Sequence, residues 1–304
     1  MLNSILNQTF NEHEVIIIDD NSKENINDIL NSYKQLGLNI RYYKNNERNY
    51  TLMSRITGIK KARGEVILFA DADDRLLDNT SLEKNIELYN KEKSDVVHFK
   101  MAIIDKDGHI KKILDEANPL TTKCYNDEYI KLFFSSDISC ISLCNKIISA
   151  KLLKNINNNL YDVRFNKHYD DLWIYLNIID KINTYVGSNI VGYGYYFIDK
   201  YHQGIPDRAI SFFKCCDEIE KKLISLNIPK DVIIKFNKYK SIYNCIYMGK
   251  FCKFLYTCTK NERNKYLDIL LKRNDLRDII TSIILSNGMN ANKIIDIFNI
   301  INAR

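Results

Sequence analysis

The chain has 304 residues and a mass of 35.7 kDa, room for one large domain or two ordinary ones. With 45% hydrophobic and 27% charged residues it can build a buried core, and its 3 Pro and 10 Gly exclude collagen-like and linker-rich chains. The net charge of +6 is uneven: residues 205–304 carry 18 Lys and Arg against 10 Asp and Glu (+8), and the first 204 residues carry 26 against 28 (−2).

Strand and helix patterns alternate over the first two hundred residues. Glu14–Asp19 is a short apolar run with β-branched residues, as in a strand buried on both faces. Asn25–Gln35 spaces Ile26, Ile29, Leu30 and Tyr33 along one helical face. Ile40–Tyr43 is a second strand, and Leu52–Ala62 a helix stopped by Arg63-Gly64. Val66–Ala70 is a third buried strand running into Asp71-Ala72-Asp73-Asp74. Leu82–Asn90 is helical, and Asp95–Ile104 is a strand that turns at Asp107-Gly108 into Ile110–Ile113. Asn126–Lys181 reads as mostly helical with a break at Tyr161–Tyr169, and Tyr185–Ile198 as extended. Past Pro206 every segment has helical spacing, with helices expected over Ala209–Leu226, Asp231–Tyr256, Glu262–Leu271 and Lys293–Ile301. These patterns predict an α/β domain over 1–204, a mainly parallel sheet with helices on both faces, and an all-helical region over 205–304.

No apolar run reaches the roughly 18 residues that spanning a bilayer requires, and no basic-then-apolar signal follows Met1, so a cytoplasmic location is expected. The basic tail has two readings: a solvated helical face, or a surface that meets an anionic membrane. No nucleic-acid motif is present and the basic residues are dispersed, so no nucleic-acid partner is expected. The 8 Cys contain no Cys-x-x-Cys pair and the 5 His do not cluster with them, which predicts reduced, buried thiols rather than disulfides or zinc.

Two predicted strands end in carboxylates, Asp19-Asp20 and Asp71-Ala72-Asp73-Asp74. In an open α/β sheet ligands bind at such strand ends. Clustered carboxylates repel unless a cation or donors offset their charge, and a hard divalent ion bridging to a diphosphate would do so. A polar turn after a strand would give the same lone Asp-x-Asp, so the surrounding motifs carry the distinction.

Those motifs resemble a known family. Ser4–Phe10, then Glu14–Ser22, then Arg55–Ile59 with Ala62–Ile67 and Asp71–Asp74, are similar in order and spacing to the family 2 glycosyltransferases of GT-A fold. Downstream, Cys144–Ile148 resembles the family's Asn-Lys segment, Tyr169–Trp173 its acidic pair, and Tyr193–Tyr196 the aromatic strand that follows. The resemblance covers about residues 2–203 and divides the domain near residues 115 and 116 into a nucleotide-sugar half and an acceptor half. It implies an inverting transfer of a sugar, from a nucleotide-sugar donor (UDP-linked) to a hydroxyl of a glycan or lipid-linked acceptor in cell-surface polysaccharide synthesis. By the same resemblance Asp19, Asp20, Arg55, Asp71 and Asp74 contact the donor. Asp71 and Asp73, with His202, hold a divalent cation (Mn or Mg), and Asp171 is the base with Asp170 in reserve. It also implies a Val/Ile-rich central strand ahead of the helix in which Met1 falls. A chain without that strand would have unpaired strand edges, so a catalytically impaired binding or assembly module is the rival expectation.

Overall fold

The computed structural model describes residues 1–135, 141–156 and 170–196, with further residues between 217 and 234. Residues 1–199 and 200–304 form two compact units. In the first, the β-branched runs form strands and the amphipathic spacings form helices, in the order α1 (Leu2–Leu6), β1 (Val15–Asp19), α2 (Asn27–Gln35), β2 (Ile40–Lys44), α3 (Tyr50–Lys61), β3 (Val66–Leu68), β4 (Arg75–Leu76), α4 (Ser81–Glu92), β5 (Val96–Ile104) and β6 (Ile110–Ile113). There follow β7 (Lys123–Tyr125), α5 (Asn126–Ser135), β8 (Lys146–Ser149), α6 (Ala150–Lys154), α7 (Asp170–Leu176) and β9 (Thr184–Tyr196). In the second unit residues 220–225 are helical, and the remaining helices expected past Pro206 lie outside the described residues apart from a few at 228–234.

The α/β class holds, but the strand pairing is mixed rather than mainly parallel. β1 pairs parallel with β2, and β5 with β9; the pairs β3–β8, β5–β8, β4–β9, β5–β6 and β7–β9 are antiparallel. Part of the reason is β8, which lies between β3 and β5 and runs against both, with Ile148 opposite Ile67 on one side and Val96 on the other; β4, β6 and β7 add three more antiparallel pairs. Expecting helix through this stretch was wrong. Its four residues are too few to show a strand period, and the following Leu152 and Leu153 complete an apparent helical spacing.

The strands fall into two sheets, β1–β2 and β3-β8-β5-β9-β4, so among the described residues β1 and β3 each have one edge without a strand partner. Glu14 ties their starts together: its Oε1 accepts from Arg63 N (2.6 Å) and Gly64 N (3.3 Å), and its Oε2 pairs with Arg41 (2.6 Å). Val15 and Ile17 pack with α1 and α2 around Leu30, Leu38 and Ile40, while α3 covers Ile18 on the other face, where Gly58 leaves its Cγ1 in van der Waals contact with a Cβ position. Leu52, Ile56 and Ile59 of α3 are buried. Gly37, at φ 104°, ends α2 in a left-handed turn that closes with Leu38 N donating to Tyr33 O (3.1 Å).

Candidate active site

The start of α3 aims its side chains at the ends of the strands. Asp20, just past β1, accepts from Asn49 N (2.7 Å) and Tyr50 N (2.8 Å), satisfying helix-start amides, and also from Asn45 Nδ2 (2.9 Å). That cap holds Tyr50 at φ 62° and sets the rotation of the turn bearing Arg55. The neighbouring Asp19 turns the other way. It is buried and accepts from Tyr42 Oη (2.6 Å), Ser22 N (2.7 Å) and Ser22 Oγ (2.9 Å). Burial alone would raise its pKa, but these donors outweigh burial and lower it. Its geometry is that of a loop-ordering carboxylate.

Past β3 the chain makes the turn Asp71-Ala72-Asp73-Asp74. Asp74 is buried, accepts from Tyr193 Oη (2.7 Å) and Tyr196 N (2.8 Å), and so fastens the turn to β9. Burial pushes Asp74 up to about 6; the two donors oppose the rise, and negative charge on Asp71 and Asp73 adds to it. Tyr193 Oη also accepts from Asp71 N (3.0 Å), so one hydroxyl anchors both ends of the turn. The sequence offered Tyr193 as part of an aromatic strand without this role. Its only signal there is strand parity, which points it to the covered face of β9.

Arg55 joins the two halves of the domain. Its Nη2 donates to Asp71 Oδ1 (3.0 Å), and its Nη1 lies 2.8 Å from Asp170 Oδ2 and in contact with Asp171 Oδ1, at the start of α7. The Arg55 side chain is 10% exposed, against 44% for Asp71, 14% for Asp170 and 24% for Asp171. Burial disfavours the guanidinium charge, yet Asp170 and Asp71 outweigh it and raise its pKa. Cys144 Sγ lies 3.9 Å from Arg55 Nη2, and burial pushes that thiol up to about 12, so it stays protonated. Cys124 and Cys144 are free and buried.

The acidic pair is supported from β8. Asn145 and Lys146 are fully buried. Asn145 Nδ2 donates to Phe99 O (3.0 Å) and Ala117 O (3.0 Å), and Lys146 Nζ donates to Ser142 O (2.5 Å) and lies 5.4 Å over the ring of Tyr175 in α7. The Asn-Lys segment therefore acts behind the site, through packing.

Of the residues expected at the site, the structure brings Arg55, Asp71, Asp170 and Asp171 into one charged cluster, with Asp74 and Asp20 fastening its supports, and it turns Asp19 away. His202 lies outside the described residues. A divalent cation fits the Asp71–Asp73 turn in charge: Arg55 engages only Oδ1 of Asp71, and Asp73 is exposed. Among the described residues the one group of three ligand types close enough to chelate is instead Asp105, Asp107 and His109. Asp105 there is already held by Lys111 (2.9 Å) and by the amides of Asp107 and His109, which is the closure of the β5–β6 hairpin.

Residues 1–156 match Glycosyl transferase family 2, and the chain belongs to that family. A curated relative, the poly(ribitol-phosphate) beta-N-acetylglucosaminyltransferase TarP of Staphylococcus aureus, is 30% identical over 178 residues, covering 54% of this chain and 51% of its own. An uncharacterized glycosyltransferase of Haemophilus influenzae is 25% identical over 53% of this chain and 62% of its own, so these matches span under two thirds of either relative. A longer match, 24% identical over 94% of this chain and 89% of the other, is to the GalNAc(5)-diNAcBac-PP-undecaprenol beta-1,3-glucosyltransferase of Campylobacter jejuni. The crystal structure of S. aureus TarS 1-349 in complex with UDP-GlcNAc superposes with a TM-score of 0.63 at 19% identity, covering 93% of this chain and 76% of that one, which establishes the GT-A fold.

Proposed function

We propose that this protein is an inverting glycosyltransferase that moves a sugar from a UDP-linked donor to a hydroxyl of a glycan or lipid-linked acceptor in cell-surface polysaccharide synthesis. The observation that carries the reading is Arg55, which joins the strand-end carboxylate Asp71 to the acidic pair Asp170-Asp171. The TarP and C. jejuni enzymes, named for sugar transfer involving poly(ribitol-phosphate) and a PP-undecaprenol-linked glycan, support the substrate class.

In this reading Asp171 takes the proton of the acceptor hydroxyl, whose oxygen bonds to the anomeric carbon as the bond to the diphosphate breaks. A single displacement inverts that carbon and requires no covalent intermediate on the protein. Asp71 and Asp73 would hold a divalent cation (Mn or Mg), which when bound offsets the charge of the leaving diphosphate. Arg55 lies where it can share that charge, and Asp20 and Asp74 keep the two loops in place. Among the described residues no helix is long and apolar enough to cross a membrane. The +8 excess beyond Ile205 supports a cytoplasmic protein that meets an anionic membrane face, where lipid-linked acceptors lie.

A second reading, a binding or assembly module with impaired activity, is favoured by one observation, the unjoined edges of β1 and β3. Calorimetric titration of UDP with and without manganese, together with a sugar-transfer assay, separates the two. The enzyme binds UDP, more tightly with the metal, and transfers; the module fails to transfer. Equal UDP affinity in both buffers would remove the metal from the proposal.

A further inference from the structure

The guanidinium of Arg55 is oversubscribed. Three carboxylates crowd it, one at Nη2 and two at Nη1, leaving the cluster with a formal surplus of negative charge. The contacts on the two sides differ in kind. Nη2 makes a hydrogen bond to Asp71, whereas Nη1, Asp170 Oδ2 and Asp171 Oδ1 are buried against one another without a well-directed hydrogen bond. Arg55 is anchored by stacking near Phe69, its Cζ 5.8 Å from the ring centroid, on a helix whose start is pinned by Asp20. It can change partners without leaving its place.

We propose that Arg55 is a positioning residue shared between the two substrates: the diphosphate of the donor draws the guanidinium away from Asp170 and Asp171, and only then is the acidic pair free to receive the acceptor hydroxyl. The inference rests on the donor reading above and extends it to an order of binding. A phosphate group offers the planar guanidinium two parallel acceptors and more charge than one carboxylate, and it would arrive beside Asp71, on the side where the hydrogen bond is already well formed. While Arg55 Nη1 contacts Asp171 Oδ1 that oxygen is occupied, and once released it is open to the acceptor hydroxyl. The arrangement thus keeps the base idle until a donor is present.

The test is a binding cycle by calorimetry in manganese buffer, with UDP and uridine as probes. The proteins are the wild type, Asp170→Asn/Asp171→Asn, Arg55→Gln and the triple variant. If diphosphate and carboxylates compete for Arg55, neutralising the pair tightens UDP binding by about three- to tenfold, and the gain disappears in the Arg55→Gln background. Uridine, which has no phosphate, should bind all four alike. Where Arg55→Gln loses the folded circular-dichroism spectrum, Arg55→Lys replaces it, and the gain should shrink because the fork is lost while the charge stays. Unchanged or weaker UDP binding by the double variant overturns the competition, as does a gain that persists in full without Arg55. A wild type that binds no UDP overturns the donor reading and this inference together, whereas a wild type that binds UDP without the gain overturns this inference alone.

Discussion

Asp170 and Asp171 are adjacent at the start of α7, where successive side chains diverge by about 100°, so one acceptor hydroxyl can meet only one of them squarely. A base acts mainly in the transition state, and its loss lowers turnover rather than donor affinity. Asp171→Asn is expected to cut sugar transfer by on the order of a hundred- to ten-thousand-fold without weakening UDP binding, while Asp170→Asn retains more activity. A larger loss from Asp170→Asn, in the same transfer assay, would shift the base by one residue. Tyr193→Phe makes the complementary prediction on the donor side. It removes the hydroxyl that holds Asp74 and the Asp71 amide, leaving buried polar groups short of a partner at a cost of about 1–3 kcal/mol. The variant should melt at lower temperature and bind UDP with manganese more weakly, through the loosened Asp71–Asp74 turn.

At the scale of elements, most strands and helices between residues 14 and 113 were legible from their period, as Val15–Asp19, Val66–Leu68 and Val96–Ile104 are apolar runs bounded by polar turns, while the two-residue β4 at Arg75–Leu76 was not. Asp19-Asp20 and Asp71–Asp74 stood out as polar clusters at the ends of apolar strands, whereas Asp170-Asp171, at the start of α7, stood out only through the family resemblance. What could not be read was pairing. β8 is too short to declare itself, and its insertion turns the sheet mixed; Arg55 gives no local sign that its guanidinium reaches across to α7, 115 positions beyond it at Asp170. Asp19 and Asp20 look equivalent in sequence, yet the twofold alternation of a strand sends one toward Tyr42 and the next to the cap of α3. The unjoined edges of β1 and β3 lead to a prediction at this scale. Among the described residues the backbone amides on those edges have no ladder partner, so hydrogen exchange should be faster in β1 and β3 than in β5 and β9, which lie inside the larger sheet. Equal protection would show that something covers those edges in solution.

For the molecule as a whole, stability against pH is set in part by a buried network around β5. His98 is fully buried, its Nδ1 2.7 Å from Tyr185 Oη and its Nε2 3.1 Å from Ala117 O. Burial, with Lys146 nearby, pushes its pKa well below the ordinary 6.5. The unfolded chain therefore binds a proton below about pH 6.5 that the folded protein refuses, so this contribution is complete above 6.5 and is lost as pH falls, by about 1.4 kcal/mol per unit. Asp74, raised to about 6, works in the opposite direction: the folded protein holds its proton more tightly than the unfolded chain does, and it gains relative stability as pH falls through that value. The two partly cancel in the wild type, and the sign of His98 is exposed only by difference. Urea unfolding of the wild type and His98→Gln at pH 7.5 and 5.5 makes the comparison. The wild type should lose more stability than the variant between the two, by about 1 kcal/mol. Equal losses would mean that the imidazole titrates in the folded state as it does in the unfolded chain.

The basic tail supplies the remaining whole-molecule prediction. Its 18 Lys and Arg against 10 Asp and Glu, beside a body at −2, make the chain electrostatically two-ended. Attraction to an anionic bilayer amounts to about 1 kcal/mol per basic residue held at the surface, and salt screens it beyond about 8 Å at physiological ionic strength. Pelleting of the full chain with phosphatidylglycerol vesicles should therefore occur at low salt, fall as sodium chloride rises, and fail with phosphatidylcholine. Reversing charge at Lys221 and Lys222, by Lys221→Glu and Lys222→Glu, should weaken the pelleting while UDP affinity stays as in the wild type. Pelleting that ignores both salt and these substitutions would assign the lysines to a solvated helical face, and the protein would then need another route to its acceptor.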